Sequence, residues 1–304
     1  MRPFSLQHTP ALYTSPVHAP ASQFYLVGYL LRLATLIIKV AATMCFAMSV
    51  HAAPVITTIA EEPFAYSGGV SIGGLNGGSG WSAAWTAGAR QHRTNATSLT
   101  LLGLSSSGGK LVDNGNAVNV SVNARTLPMQ SSGVVFVQFL AQFGTQSGLG
   151  TPQIRLFNSV TGSNAAAVGN NGRCGSPVFA LFGPDLVTGP CSAVALSSLS
   201  VIVLRIDYTA TSTSMWVLPN LSGFDYLNPP APSGVYAGLA VPFDTVQVVT
   251  RAPAQLDELR VFTVAPAPAP AQPTPVPLMS WPALGLLSGL VGLLGRRRLG
   301  GFRA

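Results

Sequence analysis

Two adjacent carboxylate pairs, Glu61/Glu62 and Asp257/Glu258, are the residues of this sequence best suited to acid–base chemistry. Cleavage of a glycosidic bond needs two carboxyl groups roughly 5 to 10 Å apart, one as acid and one as nucleophile or base. Adjacent residues of a β-strand point to opposite faces of a sheet, so neither pair is expected to converge on one substrate. We therefore predict that the protein is not an enzyme and keep a glycan-cleaving enzyme as an alternative.

Histidine and metal chemistry have few candidate residues in the central part of the chain. His92 is the only histidine after residue 52, and one histidine does not form a His-based zinc site. We expect His92 to be a surface or loop residue. Asp207, Asn220 and Asp225 carry oxygen atoms suited to Ca²⁺, but their spacing matches no calcium-binding loop. No metal site and no cofactor are predicted.

Two cysteines, Cys174 and Cys191, lie in the central part of the chain. If this part is exported, as the termini indicate below, an even number of cysteines favours a disulfide over free thiols. Such a disulfide would stabilise the fold by about 3 kcal/mol. No Cys-x-x-Cys motif occurs, so neither zinc nor thioredoxin chemistry is indicated.

The formal charge of +7 comes from the two ends of the chain. Nine basic residues balance nine acidic residues between positions 53 and 275, so the central part is neutral. The excess of arginine and lysine lies near long apolar segments, where it governs membrane topology. A nucleic-acid partner is therefore not predicted.

The C-terminal region has the pattern of a membrane-spanning helix. Residues 276–295 contain no ionisable side chain, and as a helix they would reach about 30 Å, the hydrocarbon thickness of a bilayer. Arg296, Arg297 and Arg298 follow directly and are expected to stay on the cytoplasmic side as a stop-transfer signal. Residues 264–275 are rich in Pro and Ala and are predicted to form an extended spacer.

Residues 1–52 are predicted to be a secretory signal peptide. Lys39 precedes an uncharged, mostly apolar run of 11 residues, which small residues close. Cleavage is expected after Ala52, because cleavage after Ala53 would place Pro54 beside the scissile bond. An uncleaved N-terminal anchor is the alternative, and the unusual length indicates a translation start downstream of Met1.

The central part, residues 53–263, shows the pattern of an all-β sandwich. Short apolar or alternating segments are separated by Gly, Ser, Asn and Pro, and none has a sustained 3.6-residue period. In the segment 117–123 we expect Val118, Val120 and Val122 to face the core, with Asn119 and Ser121 outward. The predicted strands are 98–104, 117–123, 134–141, 153–158, 178–182, 200–208, 214–218, 235–241, 245–250 and 256–263.

Several stretches resemble the concanavalin-A-like (LamG-like) jelly-roll domains of bacterial surface proteins. The first runs from Glu-Glu-Pro-Phe-Ala-Tyr at 61–66 through Asn-Gly-Gly-Ser-Gly-Trp at 76–81 to a second tryptophan. The others are 204–208, 214–220 and 256–261. The resemblance implies a jelly roll over roughly 61–264 and no shared catalytic residues. It does not extend to residues 160–191.

Three tryptophans, Trp81, Trp85 and Trp216, are candidate platforms for stacking against sugar rings. The alternative, which we favour for Trp81 and Trp85, is that they fill the end of a sandwich core. The two interpretations differ in whether the rings reach solvent.

The start of the apolar tail resembles the C-terminal sorting signals of exosortase substrates, which combine a short Pro motif, a helix and an Arg cluster. Here the motif is Val276, Pro277, Leu278, Met279, Ser280 and Trp281. It lacks the Glu of the Pro-Glu-Pro version and is nearer the Ile-Pro-Thr-Leu-Ser-x-x-Trp variety. The resemblance implies an exosortase-type enzyme and the inner membrane as transient partners.

Together these features predict an exported, non-enzymatic surface or extracellular-matrix protein of a Gram-negative bacterium. The precursor would be membrane-anchored and then clipped and displayed on the cell surface or released into the matrix. The alternative functions are a carbohydrate-binding module, with extracellular polysaccharide as partner, and a glycan-cleaving enzyme.

Overall fold

A computed structural model describes residues 53–87, 92–104, 106–113, 120–144, 152–170, 172–175, 177–187, 189–250 and 253–268. These residues form strands and connecting turns, which confirms the all-β prediction. Within the described ranges, no helix is long and apolar enough to cross a membrane.

The strands are β1 Val55–Glu62, β2 Arg93–Asn95, β3 Lys110–Asp113, β4 Ser121–Gln130, β5 Val134–Phe143, β6 Gln153–Asn158, β7 Ser163–Gly169, β8 Val178–Phe182, β9 Cys191–Ala195, β10 Ser200–Asp207, β11 Ser212–Leu218, β12 Gly234–Ala237, β13 Phe243–Thr250 and β14 Ala254–Ala265.

Two antiparallel sheets pack face to face. The eight-stranded sheet has the order β12-β11-β10-β5-β14-β3-β2, with β1 paired to the far part of β14. The six-stranded sheet has the order β4-β13-β6-β7-β8-β9. Many neighbours are distant in sequence, because the chain crosses repeatedly from one sheet to the other.

The main core lies between the sheets. Phe139, Ile202 and Val261 contribute from the eight-stranded sheet, and Phe179 and Val246 contribute from the six-stranded sheet. Each of these side chains is fully buried. Burial of this apolar surface is the main contribution that holds the two layers together.

The outer face of the eight-stranded sheet carries a second apolar layer. Phe136 and Phe262 stack at 5.5 Å between ring centroids, and Tyr226 packs edge-on against Phe262 at 5.3 Å. Leu99 and Phe224 come from loops that cross this face. The sheet is therefore covered on both sides, which explains why its central strands read as continuous apolar runs.

The predicted strand at 98–104 is wrong. This segment forms a turn in which Leu101 and Leu104 make an isolated bridge, and Gly103 has a φ of 84°. Leu99, Leu101 and Leu104 pack on the outer face of the eight-stranded sheet without joining a sheet themselves, whereas Leu102 is exposed. An apolar run that covers a sheet has the same composition as one that belongs to it.

The predicted facing of the 117–123 segment is also wrong. Of its residues the structure describes only the last four, and β4 begins at Ser121. Ser121 and Asn123 are buried, whereas Val120 is 39% exposed and Val122 is half-buried. The inward amide of Asn123 is tolerated because it has hydrogen-bond partners, His92 among them, as described below.

The predicted segments at 134–141, 153–158, 178–182, 200–208, 214–218, 245–250 and 256–263 overlap β5, β6, β8, β10, β11, β13 and β14. The segment at 235–241 is shorter than expected, since β12 ends at Ala237. At the other end of the domain, β14 continues to Ala265 and takes in the first two residues of the predicted spacer.

Candidate functional site

The side chain of Glu62 is at the centre of a buried polar network. Its Oε1 accepts a hydrogen bond from the Phe64 N–H at 2.9 Å. Its Oε2 accepts from the Tyr66 hydroxyl at 2.8 Å and from Trp85 Nε1 at 3.0 Å, and it forms an ion pair with Arg125. Burial and the bond to Glu62 raise the pKa of Tyr66 to about 12. With four donors around it, this carboxylate has a structural role.

Arg125 of β4 connects the six-stranded sheet to the glycine-rich loop, residues 76–81. Its side chain is 1% exposed, and it donates to Asn76 Oδ1 at 2.7 Å and to the Ala83 carbonyl at 3.1 Å. The guanidinium carbon lies 5.0 Å from the Trp81 ring centroid and 5.8 Å from that of Trp85. Burial lowers its pKa from the usual value.

Glycine is required in that loop because its backbone passes β1 closely. Gly78 and Gly80 have φ values of 68° and 76°. A Cβ on Gly78 would lie 2.0 Å from the Glu61 carbonyl oxygen, and one on Gly80 would lie 1.8 Å from that of Ile59. The Asn-Gly-Gly-Ser-Gly-Trp motif is explained by these contacts.

The stacking-platform hypothesis is wrong for Trp85 and Trp216, which are 2% and 3% exposed. Trp216 packs in the outer apolar layer and donates from Nε1 to the Pro230 carbonyl at 2.8 Å. Trp81 is partly buried against the main core, and its Nε1 donates to the Glu61 carbonyl at 2.8 Å. The core interpretation of Trp81 and Trp85 agrees with these positions.

We expected the two carboxylates of each adjacent pair to point to opposite faces of a sheet. This expectation holds for Glu61 and Glu62 but fails for Asp257 and Glu258. The Glu61 side chain is 44% exposed, while that of Glu62 is buried. In β14 the register shifts between Asp257 and Arg260, and Glu258 has a φ of 49°. This β-bulge leaves Asp257 and Glu258 both buried.

The carboxylates of Asp257 and Glu258 both bind the segment between Leu99 and Ser107, which packs on the outer apolar layer. Asp257 Oδ2 accepts from the Leu99 N–H at 2.8 Å, and Glu258 Oε1 accepts from the Ser107 N–H. Burial raises the pKa of Asp257 to about 7. Glu258, Glu61 and Arg260 line a cleft of about 290 Å³, and burial also raises the pKa of Glu258.

His92 lies outside the strands, directly before β2, as expected of a loop residue, but it is buried at 1% exposure, so the prediction of a surface position is wrong. Its Nδ1 lies 2.6 Å from Asn123 Oδ1 and its Nε2 lies 2.7 Å from Thr250 Oγ1. Thr250 in turn donates to Asp113. Burial lowers the pKa of His92, although Asn123 and Asp113 act in the opposite direction. The network joins the two sheets at one edge.

Residues 69–73 have the sequence pattern Gly-x-Ser-x-Gly. In a hydrolase this pattern places a nucleophilic serine between a strand and a helix. Here Ser71 makes an isolated bridge with Arg93, and its Oγ accepts from the Gly73 N–H at 3.3 Å. Both ring nitrogens of His92 contact other residues, so no Ser-His pair is formed.

The three candidate calcium ligands serve the turns in which they lie. Asp207, Asn220 and Asp225 each accept a hydrogen bond from the backbone N–H two residues further on, at 3.0, 3.1 and 2.9 Å. In the described part of the chain, no group of three or more His, Cys, Asp or Glu residues is placed to hold a metal ion.

The predicted disulfide between Cys174 and Cys191 is confirmed, with a Cα–Cα distance of 5.8 Å. Cys174 packs with Leu186 against Ala167, Ala180 and Phe182 on the outer face of the six-stranded sheet. The disulfide therefore anchors the segment that covers one side of this face.

The terminal predictions lie largely outside the described residues. Cleavage after Ala52, the motif 276–281 and the arginines 296–298 all fall in segments that the structure does not describe. Ala53 is described and exposed.

Strands β6 and β13 place three partly exposed side chains, Arg155, Phe157 and Gln247, on the remaining part of the outer face of the six-stranded sheet. Ile154 and Leu156 belong to the main core, so the alternate residues Arg155 and Phe157 lie on the outer face. Gln247 is paired in register with Arg155 across β13 and β6. We define these three residues as the outer-face site.

The outer-face site is held in place by a buried glutamine. Arg155 donates from Nε to Gln153 Oε1 at 2.8 Å, and Gln153 donates from Nε2 to the Asn170 carbonyl at 3.0 Å. Gln153 is 1% exposed. Desolvation lowers the pKa of Arg155. The alternation of Gln-Ile-Arg-Leu-Phe-Asn in β6 was the one sequence signal for this site.

Comparison with known proteins does not place this chain in a family, since no family model and no curated protein matches it. Among solved structures, metal-free lectin I-B4 from Griffonia simplicifolia gives a TM-score of 0.33 at 8% identity, covering 72% of this chain and 96% of the lectin. Cip1, a cellulose-induced protein, gives 0.33 at 12%, covering 60% and 88%. A protein of unknown function from Shewanella oneidensis MR-1 gives 0.32 at 13%, covering 85% and 100%. TM-scores and sequence identities as low as these assign no ligand and no activity to this chain.

Proposed function

We propose that this protein is an exported, non-enzymatic surface or matrix protein that binds extracellular polysaccharide through the outer-face site. The observation that carries the proposal is a set of partly exposed side chains that make few contacts with the other described residues. Among the described residues, the Gln247 amide makes no hydrogen bond, and Arg155 makes one, through Nε alone. Phe157 packs in none of the apolar clusters of the described residues.

The three side chains together provide what a sugar requires. A half-exposed aromatic ring can stack on the apolar face of a pyranose, while amide and guanidinium groups can bind its hydroxyls. In this proposal Phe157 replaces the three tryptophans as the stacking residue.

The proposal of a non-enzymatic role is supported by the structural use of the carboxylates. Glu62 is paired with Arg125, while Asp257 and Glu258 accept backbone N–H groups. Glu61 and Glu258 line the small cleft, but the Glu258 carboxylate already anchors the loop at Ser107. Incubation with polysaccharide should therefore release no new reducing ends.

The proposal of export and sorting rests on the two termini of the sequence. The signal peptide would be removed after Ala52, and the motif 276–281 would be processed by an exosortase-type enzyme at the inner membrane. Replacement of Arg296, Arg297 and Arg298 by Ala should leave the protein unprocessed when cells are fractionated. Unchanged processing and surface delivery would contradict this part of the proposal.

Binding is tested by affinity electrophoresis or pull-down of the protein with a panel of insoluble and soluble polysaccharides. Phe157→Ala and Gln247→Ala should each weaken retention. The matched control is Val235→Ala, because Val235 is 48% exposed and belongs to the other sheet. Retention that both outer-face variants leave intact would remove this site from the proposal.

A further inference from the structure

We infer that the polysaccharide bound at the outer-face site is anionic and that Arg155 binds its carboxylates through Nη1 and Nη2. This inference rests on the proposed function, since it names the ligand class of the same site. It depends on three observations: the charge of this face, the fixed orientation of the guanidinium and the spacing of its neighbours.

The positive charge of Arg155 is not compensated within the described structure. No carboxylate of the described residues lies within 4.0 Å of it, whereas Arg125, Arg205 and Arg260 each have an acidic partner at that distance. The six strands of its sheet contain a single acidic residue, Asp244.

Asp244 is already engaged by other groups. Its Oδ1 accepts from the Ser159 N–H at 2.8 Å and from the Thr245 hydroxyl at 3.0 Å, and its Oδ2 accepts from the Ser159 hydroxyl. A partly desolvated cation without a counter-ion is unfavourable, and an anionic ligand would relieve that cost. The charge of this face therefore favours an acidic ligand over a neutral one.

The hydrogen bond of Arg155 determines which edge of the guanidinium is free. Because Nε donates to Gln153, the edge formed by Nε and Nη2 is partly occupied. The edge formed by Nη1 and Nη2 keeps two parallel N–H groups, which match the two oxygens of a carboxylate. Gln153 is itself anchored to the Asn170 carbonyl, so this orientation exists before a ligand binds.

The spacing around Arg155 fits one acidic sugar residue. Directly paired residues have Cβ atoms about 5 Å apart, so the Gln247 amide lies within reach of a hydroxyl next to the carboxylate. Phe157, two residues along β6, is about 7 Å away, close to the width of a pyranose ring. On the other side, the residue paired with Arg155 is Ala167, which is fully buried in the cluster with Cys174 and Leu186, so a ligand would lie over β6 and β13 and not over β7.

The test uses matched polymers that differ only in charge. Polygalacturonate, alginate and hyaluronate are each compared with the same polymer after chemical reduction of its carboxyl groups. The full chain, purified in mild detergent, is titrated with each polymer by biolayer interferometry. We expect at least one acidic polymer to bind about tenfold or more tightly than its reduced form, with an affinity that falls as salt rises.

The variants assign that preference to Arg155. Arg155→Gln should weaken binding of the acidic polymer about tenfold or more and should weaken binding of its reduced form much less. Arg155→Lys keeps the charge but loses the parallel N–H pair, so it should bind with intermediate affinity. The control is Arg205→Gln, which removes the same charge from the other sheet and should bind as the wild-type protein does.

Each other result overturns a defined part of the inference. Equal binding of acidic and reduced polymers would overturn the inference and leave the proposed function standing. Binding of no polymer in either form would overturn both. A charge preference that survives in Arg155→Gln would remove Arg155 from the site. If that variant does not fold, the Arg155→Lys series and competition by free galacturonate against galactose on the wild-type protein decide the matter.

Discussion

Replacement of Glu62 by Gln is the most informative perturbation of the fold. The carboxylate faces four donors, with three of them on Oε2 and one on Oε1. Glutamine keeps the shape but turns one of the two oxygens into an NH₂ group, which cannot accept a hydrogen bond. It also leaves Arg125, which is 1% exposed, without its anionic partner.

The expected magnitude follows from that geometry. Removing one partner of a buried ion pair costs about 3 to 5 kcal/mol, because the other charge remains buried and unpaired. We expect Glu62→Gln to lower the free energy of unfolding by this amount. The measurement is urea unfolding followed by tryptophan fluorescence, with the free energy taken from the midpoint and slope.

Two further variants make the test specific. In Glu62→Gln/Arg125→Met the charge that was left unpaired is removed, so the double variant should lose less than the sum of the single variants, by about 2 kcal/mol. Glu61→Gln is the control, because its exposed side chain should contribute less than about 0.5 kcal/mol. A loss below about 1 kcal/mol for Glu62→Gln, or additive single variants, would refute the reasoning.

Four further predictions concern stability and pH. Replacing Cys174 and Cys191 by Ser should lower the free energy of unfolding by about 3 kcal/mol in denaturant titrations, and adding reductant to the wild-type protein should reproduce the loss. Burial lowers the pKa of His92, so its contribution to the free energy of unfolding is present above pH 6.5 and is lost as the pH falls through the folded-state pKa. His92→Gln should therefore make the free energy of unfolding depend less steeply on pH in this range, and an unchanged dependence would contradict the assignment. The pKa of Asp257 is raised to about 7, so its contribution to the free energy of unfolding is present below about pH 3.8 and is lost as the pH rises through 7. The difference in stability between Asp257→Asn and the wild-type protein should therefore be more favourable to the variant at pH 8 than at pH 4. Gly80→Ala should cost at least about 1 kcal/mol in the same titrations, because of its positive φ and the close Ile59 carbonyl.

The strands of the core were predictable because a strand needs little more than a short apolar run between turn residues. The segment 200–208 coincides closely with β10, whose residues are almost all buried. The segment 98–104 has a similar apolar content but covers a sheet from outside. The composition of a segment predicts that it will be buried, but it does not predict whether the segment joins a sheet or packs against one.

The polar interior could not be predicted, because its partners are far apart in the chain. Glu62 and Arg125 are 63 residues apart, and His92 and Thr250 are 158 residues apart. The inward facing of Asn123 and Arg125 reverses the usual alternation and is stable only when those distant partners are in place. The bulge at Asp257 likewise depends on how β14 pairs with β5.

The sequence by itself determined the all-β class, most of the core strands and the pairing of two cysteines, since these depend on local composition, turn residues and a count. Only the tertiary structure decided which side chains are buried in networks and which remain free. It enclosed Trp85, Trp216 and His92, and it left Arg155 partly exposed on the outer face, where among the described residues only its Nε is hydrogen-bonded. That difference arises from the register of strands distant in sequence, a long-range property that no local pattern contains.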